Sequence, residues 1–241
     1  MSVPLWAAEL ARAFWSRARK PEPFPRSLRR SIARAVPLSV VLLPRLSVRA
    51  ALDCLKDYGI VCELPGEDRP LRGCLVARRG HGVALVDGSD PDAEQRFSIA
   101  HELAHFLRDY WRLRQNLMKR LGAAALQVLD GDRLATAQER LHALLRNVQL
   151  GFHVHLMERD GEGRPVTPSA SNAERDADRL AFELLAPAEH VLGQVYAGKE
   201  ALKRILRDFY GLPSTQAAEY AGVLMPPLKT DPLILRLRSR A

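Results

Sequence analysis

Cysteine is scarce in this chain. Cys54, Cys62 and Cys74 are the only three in 241 residues, an odd number with no Cys-x-x-Cys spacing. That excludes a disulfide scaffold and predicts reduced thiols, as in a cytoplasm. Long apolar runs are missing too. The best, residues 36–43, contains Pro37 and falls far short of the about 18–20 residues of a membrane span, so no membrane partner is expected. The N-terminus interleaves Trp6, Glu9, Arg12, Trp15 and Arg17 with no apolar signal core, and no export is expected. Negative charge is also short: the formal net charge is +8. Such a balance raises direct nucleic-acid binding. The arginines at 26–49 and 108–120 nevertheless read more simply as solvated helix faces, and a basic surface would equally steer an acidic protein partner.

What is present suffices for a packed core. Hydrophobic residues make up 47% of the chain, enough for one large domain or two small ones. Amphipathic periodicity predicts helices over 5–19 and 27–35, separated by the Pro-rich break at 20–25. A strand follows over 36–43, then a helix from a Ser47 cap to Tyr58, stopped by Gly59. Residues 60–64, 73–78 and 82–86 read as strands, the last two joined by a turn over 79–82 that leaves His81 as a loop residue. After Tyr110 the pattern stays helical to about 129. Thr136 and Glu139 form a capping box for a helix through Val148. Residues 151–157 alternate, with Phe152, Val154 and Leu156 on one side and His153 and His155 on the other. This predicts a half-exposed edge strand in preference to a second metal site. A loop over 158–169 precedes a helix from Glu174 to before Pro187, and helices over 200–210 and 215–224 close the chain. The fold class expected is α+β, mainly helical with a small sheet.

The most informative stretch is Arg96-Phe97-Ser98-Ile99-Ala100-His101-Glu102-Leu103-Ala104-His105-Phe106. Ala100, Leu103, Ala104 and Leu107 recur at i, i+3, i+4 and i+7, the apolar stripe of a helix. His101 and His105, one turn apart, share a face, so their ring nitrogens can converge on one ion. Glu102 is offset by roughly a quarter turn, within reach of a water on that ion, as a general base must be.

Two histidines do not hold a catalytic zinc; a third protein ligand and an open position are needed. Position 111 is Trp, which excludes a third His six residues after His105. Asp109 shares their face but lies ~12 Å along a straight helix from His101, too far for one ion. Glu174 is the best candidate. It sits with Asp178 at i and i+4 on a helix whose stripe is Ala177, Leu180, Ala181, Leu184 and Leu185. Asp178 would accept the other N–H of a ligating His and so fix its tautomer. A local explanation competes: Ser171-Asn172-Ala173-Glu174 is itself a capping box, and the residues alone leave the two level. Asp176 and Glu183 point off that face and are weaker options. For the oxyanion, Tyr110, His153 and His155 are all open candidates.

Two segments together, Arg96 to Phe106 and Glu174-Arg175-Asp176-Ala177-Asp178-Arg179-Leu180-Ala181-Phe182-Glu183-Leu184-Leu185-Ala186-Pro187, resemble the ImmA/IrrE family of gluzincin-like zinc metallo-endopeptidases. That family has a similar Arg-Phe-x-x-Ala-His-Glu-x-x-His helix and a later Glu-x-x-Ala-Asp/Asn helix ending in Leu-Leu-x-Pro. Ala181-Phe182 stands where the family has an aromatic before Ala. The resemblance implies a zincin-like domain over 36–224, preceded by a helical segment, 1–35, and followed by a tail, 225–241. It implies Zn²⁺ held by His101, His105 and Glu174, with Glu102 as base. It also implies a helix-turn-helix repressor as protein substrate, cleaved to release stress or mobile-element genes. The interval from His105 to Glu174 is 69 residues, longer than in the family's compact members. Residues 111–169 therefore read as an insertion, a lid or a surface that recognises the partner. The rival expectation is a DNA-binding or toxin–antitoxin regulator acting by contact.

Overall fold

The computed structural model describes residues 3–136, 150–158, 168–194 and 196–226. Apolar residues at helical spacing form α1 (Leu5–Arg17) and α2 (Arg29–Ala35), which lead into β1 (Leu38–Leu43). Ser47 then caps α3 (Val48–Asp57), its hydroxyl accepting from the Ala50 amide at 3.2 Å. β2 (Leu71–Arg78) and β3 (His81–Asp87) make a hairpin. Arg79 and Gly80, both at positive φ, are its two turn residues, as a tight primed turn requires. His81 therefore opens a strand rather than sitting in the loop.

α4 (Asp92–His105) runs without a break into a π-helical turn, Phe106–Trp111, and on into α5 (Arg112–Leu121), and Gly122 separates that run from α6 (Ala123–Leu129). β4 (His153–Glu158) precedes α7 (Pro168–Leu185), α8 (Ala188–Leu192), α9 (Lys199–Asp208) and α10 (Ser214–Leu224). The architecture is α+β. The helix expected from Thr136 to Val148 lies, beyond Thr136, outside the described residues. So do 159–167 of the expected loop and 227–241 of the expected tail.

The sheet has the order β1-β3-β2-β4, parallel between β1 and β3 and antiparallel elsewhere. Both faces are covered. On one, Cys74, Val76 and Leu85 pack on Val48, Ala51 and Leu55 of α3. On the other, Leu75, Ala77, Ala84 and Val86 join Ala100, Leu103 and Ala104 of α4 in the larger core. α7 packs along α4, with the Phe97 and Phe182 rings 5.7 Å apart, and α1 lies on α7. Ala11, Phe14 and Trp15 of α1 belong to that same core, so the N-terminal helical segment shares it.

Two elements differ from expectation. Residues 60–64 form no strand. Ile60, Cys62 and Leu64 pack on the α3-side core while Val61 is exposed, so the alternation records one-sided burial without a ladder. Both edges of β2 and β3 are already paired, which leaves such a segment no central place in the sheet. The second difference is α7, which starts at Pro168, six residues before Glu174. Proline suits a first helical turn because its missing N–H would have no partner there.

Candidate metal centre

α4 is enclosed by the sheet and α7, and every residue from Phe97 to His105 is buried. His101, Glu102 and His105 are thus inside the protein, at 2%, 0% and 3% exposure, where ionisable groups persist only with partners. The partners come from three elements. His101 Nδ1 lies 2.9 Å from Asp178 Oδ1 on α7. His105 Nδ1 lies 2.8 Å from Asp109 Oδ2 in the π-helical turn. His155 Nδ1, from β4, lies 2.9 Å from Glu102 Oε2.

Three imidazoles thus each meet a carboxylate through Nδ1. An ionised carboxylate only accepts, so Nδ1–H donates in each pair and Nε2 is the nitrogen left to face elsewhere. All three Nε2 atoms face Glu174. His101 Nε2 is 3.2 Å from His105 Nε2 and 3.3 Å from Glu174 Oε2. Glu174 Oε1 is 3.6 Å from His105 Nε2 and 3.1 Å from His155 Nε2. The ligand atoms of His101, His105, His155 and Glu174 all lie within 4.8 Å of one another. Four donors at zinc-like bond lengths stand about 3.4 Å apart at the corners of a tetrahedron, so these separations suit a single small ion. The group could hold a metal ion. Glu174 is its most open member, with 37% of its side chain exposed.

The electrostatics follow from burial and contact. Burial alone would depress the His155 pKa, but the Glu102 carboxylate, and then Glu174, outweigh it and push it up to about 10. His101 is likewise lowered by burial and raised by Asp178 and Glu174, to about 9. Burial works against the Glu174 carboxylate, yet contacts with His101, His105 and His155 hold it far below the usual carboxylate range. Glu102 differs from these groups in one respect: its Oε1 is buried with no hydrogen-bond partner among the described residues. An orphaned carboxylate oxygen beside the donor cluster is a proton-accepting group held ready in place.

The structure therefore brings together His101, Glu102, His105, Glu174 and Asp178. The capping explanation for Glu174 does not survive, since Ser171 lies inside α7 rather than at its start. Asp176 instead faces Arg108 and Arg179, and Glu183 accepts from the Ala188 amide and the Tyr220 hydroxyl. Tyr110 accepts from the Gly80 amide in the hairpin turn at 2.6 Å. Asp109 accepts from His105 Nδ1 and is itself held by Arg108 at 2.6 Å.

His155 is the residue sequence reasoning placed least well. β4 is an edge strand with half-buried residues, as expected. Its histidine face is nonetheless an interior face: His155 pairs with Leu75 and His153 with Ala77, on the side of β2 that meets α4. His155 stacks on His105 with ring centres 3.6 Å apart and joins the one cluster rather than forming a second. His153 stays outside it. Burial holds its pKa down at about 4, and its Nε2 has no hydrogen-bond partner among the described residues. The alternation of 151–157 was the available signal. The expected insertion, 111–169, is what delivers this strand.

No protein-family model matches the chain, and no curated protein matches it. Among the described residues, no helix is long and apolar enough to cross a membrane.

Proposed function

We propose that this chain is a zinc-dependent endopeptidase with a zincin-like domain, similar to the ImmA/IrrE family. The observation that carries the reading is the placement of Glu102. It is fully buried, has one oxygen unpartnered among the described residues, and stands one residue from His101 in a cluster of nitrogen and carboxylate donors. His101, His105 and Glu174 would hold the ion, with Asp178 and Asp109 fixing the tautomers of the two imidazoles. Zinc, when bound, supplies the Lewis acidity that acidifies a water and polarises a peptide carbonyl. Glu102 takes the proton from the attacking water and passes it to the departing amine, while the water oxygen adds to the carbonyl carbon and the C–N bond breaks. The exposed side of Glu174 is the approach for a peptide.

The substrate proposed is a protein, a helix-turn-helix repressor, on the strength of the two resembling segments. A non-proteolytic DNA-binding or toxin–antitoxin regulator is the competing proposal. It would need α9 and α10 as a recognition pair, yet Leu202, Leu206, Ala217, Tyr220 and Ala221 commit both helices to the main core.

Metal content of the purified chain tests the reading, with Glu102→Gln and Glu174→Ala beside it. One zinc per chain, retained in Glu102→Gln together with loss of proteolysis, is the expected result. Absence of metal after zinc addition would overturn it, and a regulatory effect unchanged in Glu102→Gln would favour the contact regulator.

A further inference from the structure

We propose that His155 is a fourth, displaceable protein donor to this centre, so that the resting chain is coordinatively closed and catalytically latent until His155 withdraws. The inference rests on the metal-centre reading above and adds a state to it. Three observations carry it.

First, His155 repeats the arrangement of the two helical histidines in full. Each imidazole gives Nδ1–H to a carboxylate (Asp178 for His101, Asp109 for His105, Glu102 for His155), and each turns Nε2 to the same point. Second, the 3.1 Å from His155 Nε2 to Glu174 Oε1 matches the 3.2 and 3.3 Å among the other donors, so His155 stands at a corner of the donor set. Four protein donors close a tetrahedral site, whereas a catalytic site keeps one position for solvent. Third, the carboxylate that orients His155 is Glu102. While Oε2 of Glu102 accepts from His155, the base is tied to the group that fills the position its water would need.

The strand that carries His155 makes its withdrawal feasible. β4 is at the end of the sheet, paired on one side to β2, and its six residues are only half-buried. His101 and His105 sit on the buried half of α4, Phe97 to His105, and have no such freedom. Displacement of His155 would open one position and release Glu102 in a single movement.

Cobalt-substituted full-length protein tests this, because Co²⁺ absorption reports coordination number, with azide as a probe of any open position. Wild type is expected to show the intense visible band of four-coordinate cobalt and no response to azide. His155→Ala and His155→Gln are expected to show a weaker or shifted band that azide perturbs. They should also lose metal to a chelator more readily. An azide response in wild type would overturn the latent state and leave the metal-centre reading standing. That titration needs no variant to fold. No cobalt or zinc uptake by wild type would overturn both.

Discussion

A Cβ at Gly73 would stand 2.5 Å from Oε1 of Glu102, so the missing side chain on β2 is the space that the Glu102 carboxylate occupies. Gly73→Ala therefore should push the carboxylate off its position while the ion's donors stay in place. Displacement of a reacting group by ~1 Å costs about 10²-fold in rate. We expect a loss of that order in peptide hydrolysis, with metal content unchanged and stability lowered by about 1–3 kcal/mol from overpacking. Hydrolysis at the wild-type rate by Gly73→Ala would show that Glu102 is not held where its chemistry requires.

Asp109, in the π-helical turn, and Asp178, on α7, hold the two helical imidazoles through Nδ1. Replacing either with Ala should weaken metal retention by about 10–100-fold, measured by competition with a chromogenic chelator. The Asp109 effect should be mirrored, more weakly, by Arg108→Ala, because Arg108 holds Asp109 and also reaches the Ala173 carbonyl on α7. Equal retention in Asp109→Ala and wild type would remove the orienting role.

Metal uptake should be pH-dependent. Without an ion, His101 and His155 keep their protons to about 9 and about 10. The ion must displace those protons, so apparent affinity should rise with pH through neutrality and flatten toward pH 10. Proton release on zinc addition, followed with an indicator dye in unbuffered solution, checks this directly.

The same groups set the stability of the metal-free chain. Their folded pKa values are raised above the unfolded value of about 6.5. Their contribution is thus complete below about pH 6.5 and is lost as pH rises through about 9 and about 10. In the presence of a chelator, the melting temperature should fall between pH 7 and pH 10. A rise over that window would contradict the assigned contacts.

Tyr220→Phe provides a contrast remote from the centre. The Tyr220 hydroxyl donates to buried Glu183 at 2.9 Å. Removing it should cost about 1–3 kcal/mol in chemical denaturation, the cost of leaving a buried polar group short of a partner. Metal retention should not change.

The His101–His105 pair was legible from sequence because a helix places i and i+4 on one face whatever surrounds it. The stripe of Ala100, Leu103, Ala104 and Leu107 was legible for the same reason, and so were the Ser47 cap and the β2–β3 hairpin: all are set within a few residues. Glu174 lay between two explanations until the start of α7 at Pro168 removed the local one.

His155 shows where that kind of inference stops. Alternation states that a strand has two faces, but not what covers each of them. The apolar face of β4 was legible as buried. The histidine face became an interior face only because α4 packs across β2 and β4, joining residues 53 positions apart in the pair of His155 and Glu102. Local periodicity thus determined the helices, the hairpin and two donors of the centre by itself. The tertiary structure decided the rest of the donor set and the enclosure that shifts its pKa values, because convergence on one point depends on packing between elements far apart in the chain.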